Sequence, residues 1–258
     1  MGTAYLVGAG PGAADLLTVR AVRLLERADV VLHDALVSAE VLALAPRARK
    51  IAVGKRAGLP STDQALISRL LVHEARSNPV VVRLKGGDPS LFARADEELE
   101  ACRKAGIAVE VVPGISAGFA AAAAAATPLS ARGIARSVVF VTASTATDEG
   151  ADAWADAAAA ADSCVIYMGR GQGAAIRAAL LARGVAPATP VLAARSVETA
   201  QAALWVGTLD GLADLTATAG GPGPVVLLVG EAFGAARSQV LPETAAGSTR
   251  PVRQARRA

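Results

Sequence analysis

The sequence predicts an α/β fold in two domains, a mostly parallel N-terminal sheet followed by a mixed C-terminal sheet. Apolar runs of strand length alternate with helical patterns through residues 3–112, which is the pattern of a parallel sheet covered by helices. In the second half, two strand-like runs, 190–195 and 201–206, are separated by only a short linker. They read as an antiparallel hairpin, so that sheet must be mixed. Several strands end in glycine-bearing turns, where α/β sheets bring backbone close to a ligand.

The first strand is Thr3 to Val7, and it runs into Gly8-Ala9-Gly10-Pro11-Gly12-Ala13. A helical pattern follows over 15–27. Further strands are expected at 29–33, 49–53, 79–84 and 108–112, with helices near 38–45, 62–76 and 93–105. Crossovers in such a sheet are right-handed. Pro113-Gly114 then interrupts the pattern, and an alanine-rich helix over 116–126 opens the second unit. Its strands are expected at 137–142, 163–168, 190–195, 201–206 and 225–229, and its helices near 152–161, 173–183 and 209–216. The domains are therefore 1–114 and 115–235, with no internal repeat. From Ala236 onward the chain holds Arg237, Arg250, Arg253, Arg256 and Arg257 against Glu243 alone, with Pro242, Gly247 and Pro251 and no periodicity. It is expected to be a disordered, solvated basic tail.

Composition removes several classes of function. The net charge is +3, and the tail supplies it, so the body is close to neutral and carries no nucleic-acid signature. Apolar residues make up 53% of the chain, yet no run reaches the roughly 18–20 residues of a membrane span. A signal-peptide pattern is absent. Cys102 and Cys164 are isolated and read as reduced core thiols of a cytoplasmic protein. Two histidines cannot build a histidine-rich metal site, and no metal is expected.

Gly8-x-Gly10-x-x-Ala13 formally fits a dinucleotide-binding turn, with Asp29 or Asp34 as the ribose acid. Pro11 opposes that role, because it removes an N–H where a pyrophosphate needs one. From the turn alone, cofactor cradle and plain strand-to-helix turn remain equally open. A second strand ends in Arg83-Leu84-Lys85-Gly86-Gly87-Asp88-Pro89. Its paired glycines admit a ligand to the backbone, and Asp88 can accept from hydroxyl or amino groups, although Gly-Asp-Pro is also ordinary turn chemistry. Val112-Pro113-Gly114-Ile115-Ser116-Ala117-Gly118 ends a third, where Ser116 either caps the next helix or touches a ligand. Tyr167-Met168-Gly169-Arg170-Gly171 follows another apolar strand; methionine there is most often core packing. Asp34, in His33-Asp34-Ala35-Leu36-Val37, sits past its strand, where a carboxylate can act as a base. Lys55 and Arg56, in Val53-Gly54-Lys55-Arg56-Ala57-Gly58, are either solvated charges or a grip on an anionic substrate.

Taken in order, GAGPG, HDALV, VGKRAG, RLKGGDP and VPGISA closely resemble the strand-end motifs of the tetrapyrrole methylase family. The likeness continues through Thr127-Pro128-Leu129, Arg132-Gly133, Ser137 to Thr142, Tyr167-Met168-Gly169, Gly207-Thr208-Leu209 and Gly230-Glu231, and covers about residues 3–233. This resemblance implies a homodimer of two-domain subunits, with the active site in the cleft between the domains and S-adenosylmethionine as methyl donor. It implies donor contacts at Pro11, Gly86, Gly87, Asp88, Leu91, Ser116, Ala117 and Met168. It implies Asp34 as proton acceptor and Lys55 as proton donor. The implied reaction adds two methyl groups to peripheral carbons of uroporphyrinogen III, giving precorrin-2, the step shared by sirohaem and cobalamin biosynthesis. Arg56, Arg94 and Arg132, with Arg136 after them, are the expected guanidinium contacts to the substrate's carboxylates.

The chain departs from the family pattern at several places. Gly58-Leu59-Pro60-Ser61, Ser130-Ala131-Arg132 and Thr142-Ala143-Ser144 each lack the family's usual histidine, Ala93 to Glu98 replaces a glycine-rich segment, and Ala13 stands for an acid. Three other readings therefore stand beside the first: a paralogue methylating another tetrapyrrole, a donor-binding protein without this activity, and a nucleotide-binding oxidoreductase using the first turn for NAD.

Overall fold

The computed structural model describes residues 2–54, 63–143 and 153–236, and the backbone of 239–240. Its elements follow the predicted alternation. The first sheet is formed by β1 (Thr3–Gly8), β2 (Val30–His33), β3 (Arg49–Ala52), β4 (Val80–Lys85) and β5 (Ala108–Val112), interleaved with α1 (Val19–Glu26), α2 (Ala39–Ala43), α3 (Gln64–Ser77) and α4 (Ala95–Lys104). After α5 (Ala117–Ala124) come β6 (Val138–Thr142), α6 (Ala153–Ala160), β7 (Ser163–Tyr167), α7 (Gly173–Leu181), β8 (Pro190–Arg195), β9 (Ala203–Thr208), α8 (Leu212–Thr218), β10 (Val225–Gly230) and β11 (Gln239–Val240).

The first sheet has the order β3-β2-β4-β1-β5, and every pairing in it is parallel. Side chains alternate between two covered faces, as a parallel sheet requires. Val7, Val31, Val82 and Leu84 pack under Ala21, Leu24 and Leu25 of α1 and Val41 of α2. Ala4, Leu6, Val30, Leu32 and Val81 face Ile67, Leu71 and Ala75 of α3 and Cys102 of α4. The neighbours β1 and β4 thus feed helices on opposite faces. Their carboxyl ends form the crevice at which such sheets take a ligand.

The second sheet has the order β11-β9-β8-β10-β7-β6. β6 and β7 are parallel and the rest pair antiparallel, including the expected hairpin of β8 and β9. α6, α7 and α8 cover one face through Ala155, Ala158, Ile176, Leu180 and Leu212. Ala120 and Ala121 of α5 lie on the other, against Val165, Leu192, Val226 and Leu228. The small alanine side chains let this helix approach the sheet closely. Gln239 and Val240, inside the segment expected to be a disordered tail, pair with β9; the rest of that segment from 237 lies outside the described residues.

The helix expected over 15–27 is divided. Ala14–Leu16 forms one 3-10 turn, Leu17 and Thr18 are extended, and α1 starts only after Thr18. The Thr18 hydroxyl accepts the Ala21 N–H at 3.2 Å, an N-cap that fixes the helix start. Among the described residues, no helix is long and apolar enough to cross a membrane. Cys102 and Cys164 are free and buried.

Candidate active site

Three strand ends meet through glycine. A Cβ at Gly8 would lie 2.6 Å from the Gly114 Cα and 2.7 Å from the Gly87 carbonyl oxygen, so the ends of β1, β4 and β5 close on one another only without side chains. Gly10 and Gly87, both at positive φ, exchange backbone hydrogen bonds of 3.2 and 2.8 Å and lock the two turns together. The space above Gly87 stays open: the nearest atom to a Cβ there would be the Ser116 Cα, at 3.9 Å. Gly87 and Ser116 thereby border one hollow at the N-terminus of α5, and Gly86 lies against the Leu36 side chain.

Asp88 fixes this corner. Its Oδ2 accepts the Gly114 N–H at 2.9 Å, and its Oδ1 accepts the Ser90 N–H at 2.7 Å and the Ser90 hydroxyl. Burial alone would push the Asp88 carboxyl up. The bonds from the Ser90 hydroxyl, the Gly114 N–H and the Ser90 N–H outweigh that, and it lies below the usual carboxylate range. Asp88 therefore shapes the wall of the hollow through the backbone. Pro11 leads into Gly12, which is buried against the second domain: a Cβ there would collide with the Glu198 carbonyl and with Thr199 Cγ2. The Ser38 hydroxyl donates to the Gly12 carbonyl at 2.9 Å.

Tyr167 ends β7, and Met168 follows it. Met168 is held at φ 56° and is 50% exposed, so it is displayed toward solvent and does not pack in the core. Phe92, one residue beyond Leu91, is also at positive φ, and its ring lies 5.4 Å from that of Tyr167. Such backbone strain in non-glycine residues costs about 1–3 kcal/mol each and concentrates at functional sites. Ser116 does not cap α5 with its side chain. Its hydroxyl lies 2.6 Å from the Tyr167 hydroxyl, which accepts the Gly118 N–H at 3.0 Å.

Asp34 sits at the end of β2, and its Oδ1 accepts from Arg83 Nη2 at 2.5 Å. Gly54 packs its backbone against Asp34 and Ala35; a Cβ at Gly54 would lie 2.9 Å from the Asp34 Cα. Lys55 and Arg56 follow directly and lie outside the described residues, so their expected roles stay with the sequence. Arg94 pairs with Glu97 at 2.6 Å on the first turn of α4. Arg132 is exposed in the turn closed by Ala131 and Ala135, and no described contact joins it to Asp34 or Arg94. Asp29, the other candidate ribose acid, accepts the Val80 N–H at 2.8 Å and has a structural task. Among the described residues, no three His, Cys, Asp or Glu side chains gather as a metal-holding group.

The family model of tetrapyrrole (corrin/porphyrin) methylases matches residues 3–213. The chain belongs to the tetrapyrrole methylase family. Among curated relatives, this tetrapyrrole methylase is 43% identical over 245 residues to a uroporphyrinogen-III C-methyltransferase of Paracoccus denitrificans, covering 94% of this chain and 85% of the relative. It is 50% identical over 190 residues to a uroporphyrinogen-III C-methyltransferase of Pseudomonas aeruginosa, covering 74% and 77%. Among solved structures, a uroporphyrin-III C-methyl transferase from Thermus thermophilus, complexed with S-adenyl homocysteine, superposes with a TM-score of 0.78. That pair shares 37% identity, over 90% of this chain and 99% of the other. The tetrapyrrole methylase fold and the mixed second sheet read from the sequence are thus shown.

Three residues of the site were not singled out from sequence: Tyr167 as a partner of Ser116, and Arg83 and Glu98 beneath Asp34. A signal for the second pair was present. Arg83 and Lys85 alternate on one face of an otherwise apolar central strand, and buried cations need a counter-charge.

Proposed function

We propose that this chain transfers methyl groups from S-adenosylmethionine to two peripheral carbons of uroporphyrinogen III, giving precorrin-2. The observation that carries this reading is the 43% identity over 94% of the chain to a relative of that name. The cradle agrees with such a donor. Apart from its chain neighbours, only the Ser116 Cα comes within 4 Å of a Cβ placed at Gly87, which leaves the backbone there open to a donor. When bound, the donor supplies an electrophilic sulfonium methyl group. Gly86, Gly87, Ser116 and Ala117 hold it against the sheet, with Pro11 and Leu91 bordering it, Asp88 shaping its wall and Met168 covering the outer side.

The chain's own work is alignment, exclusion of water and proton management. Methylation of a pyrrole carbon leaves one proton to be removed. Asp34, with Oδ1 engaged by Arg83, accepts it at Oδ2. Lys55 donates a proton to the macrocycle only as another leaves it, so that one proton is lost for each methyl gained. Arg56, Arg94 and Arg132 meet the substrate's carboxylates, and Arg94 exchanges its Glu97 partner for one of them. The working unit is a homodimer in the cytoplasm.

Transfer of labelled methyl from S-adenosylmethionine to uroporphyrinogen III tests the whole reading, and no incorporation despite tight S-adenosylhomocysteine binding overturns it. Asp34→Asn should cut turnover by about tenfold or more with donor affinity unchanged. The missing histidines at Ser130-Ala131-Arg132 and Thr142-Ala143-Ser144 favour a second reading, a methylase for another tetrapyrrole, which the same assay distinguishes by substrate.

A further inference from the structure

Beneath the ends of β2 and β4 lies a charge cluster of which only one member reaches the surface. Arg83 and Lys85 side chains are 3% exposed and Glu98 is 0% exposed, whereas Asp34 is 29% exposed. Glu98, on α4, accepts Arg83 Nε at 3.0 Å, Lys85 Nζ at 2.8 and 2.9 Å on its two oxygens, and Gln64 Nε2 at 3.1 Å. Two cations and two carboxylates balance. Burial is the main reason the Lys85 amine is held below its ordinary range; Arg83 adds to it, and Glu98 and Asp34 oppose it.

The guanidinium of Arg83 is bonded on every edge. Nε goes to Glu98, Nη1 to the Leu84 carbonyl at 3.1 Å, and Nη2 to Asp34 Oδ1. A planar fork held at three points cannot turn, so the position of the Asp34 carboxylate is fixed by atoms it does not itself touch. A buried ionic cluster is a poor way to gain stability, because apolar residues of similar volume do as well or better. Its use lies in orientation.

We infer that Arg83 is a positioning residue for the Asp34 carboxylate and that Glu98 anchors it in that role. The inference rests on the reading of Asp34 as proton acceptor. Arg83 holds Oδ1, leaving Oδ2 as the atom that takes the proton, and Lys85 balances the single charge of Glu98, so that the charge of Arg83 is left to pair with Asp34. A lysine at position 83 keeps the charge but cannot bridge both carboxylates in one plane.

A double-mutant cycle tests this, with turnover from labelled methyl transfer to uroporphyrinogen III and donor-site integrity from calorimetry with S-adenosylhomocysteine. Arg83→Lys should lower kcat about tenfold while KM for the tetrapyrrole stays within about twofold. S-adenosylhomocysteine affinity should also hold. In an Asp34→Asn background, the same change should alter residual kcat by less than about twofold, since the residue it acts through is gone. Glu98→Gln, nearly isosteric, should show the same dependence on Asp34 and serves if Arg83→Lys does not fold. An equal loss in both backgrounds, an unchanged kcat, or a parallel loss of S-adenosylhomocysteine affinity overturns the inference. Full turnover of Asp34→Asn on its own is a different failure, which removes the acceptor reading itself.

Discussion

The Tyr167 hydroxyl caps helix α5 where Ser116 does not, accepting the Gly118 N–H at 3.0 Å while lying 2.6 Å from Ser116 Oγ. Burial pushes the phenol up, against the two hydrogen bonds, so it stays protonated and holds the serine as well as the helix. Phe92 from the first domain rests against the same ring. Tyr167 therefore ties the N-terminus of α5 to the loop that carries Leu91.

Tyr167→Phe keeps the ring and removes the cap. The loss of these bonds should cost about 1–2 kcal/mol. At about 2–4 °C per kcal/mol for a chain of this size, that appears as a drop of several degrees in Tm by scanning calorimetry. S-adenosylhomocysteine should bind several-fold more weakly, because Ser116 and the first turn of α5 lose their fixed position. An unchanged Tm would show that water replaces the phenol at no cost.

Most of the fold was legible because period and punctuation agree. Residues 79–84 read as a strand, and the short gap between 190–195 and 201–206 as a hairpin, and both stand in the structure, the strand as Val80–Lys85. The start of α1 was missed because Ala14 to Leu17 is compatible with helix locally; the Thr18 cap and the extended Leu17 decide otherwise. The strand-end glycines answer to two needs: backbone contact leaves no room for a Cβ at Gly8, Gly54 and Gly114, whereas Gly10 and Gly87 take positive φ. Side-chain partnerships were not: Ser116 and Tyr167 are 51 residues apart and Asp34 and Arg83 are 49. Only packing brings such pairs together. Met168, for which the sequence left core packing and donor contact both open, is half exposed at the end of β7.

Gly8→Ala tests the closure of the three strand ends. Its Cβ would meet backbone alone, 2.6 Å from Gly114 Cα and 2.7 Å from the Gly87 carbonyl, with no flexible side chain able to yield. Overpacking of this kind costs about 1–3 kcal/mol. The shift falls on Gly87 and Gly114, so S-adenosylhomocysteine affinity should fall together with Tm. A stable variant that binds normally would show that the strand ends can spread without disturbing the hollow.

Asp88→Asn should destabilise the protein in a way that depends on pH. The folded carboxyl lies below its unfolded value of about 3.9, so the unfolded state binds more protons as pH falls through that range. The stabilisation by Asp88 is fully present above pH ~4 and fades as pH drops toward the folded pKa. The Tm difference between parent and variant should be constant from pH 6 to 8 and narrow below about pH 4. A gap that stays level into acid would show that the amide loses the Ser90 and Gly114 bonds for reasons of shape, without charge.

The two cysteines should behave as inert core thiols until the chain opens. Burial, with Glu98 adding to it, pushes the Cys102 thiol to about 11, and burial pushes Cys164 to about 12. The thiolate is the reactive form, so a disulfide-exchange reagent at pH 8 should label neither in the native protein and both in denaturant. Unfolded thiols ionise near pH 8.5, so between about pH 8.5 and 11 the unfolded state holds fewer protons than the folded one. Stability must fall as pH rises through that window. Urea denaturation at pH 8 and pH 10 should therefore show a smaller decline for Cys164→Ala than for the parent, although the variant starts less stable from its lost packing. Rapid native labelling of Cys102 would show instead that α4 opens locally from the sheet, and with it the anchor that Glu98 provides to Arg83.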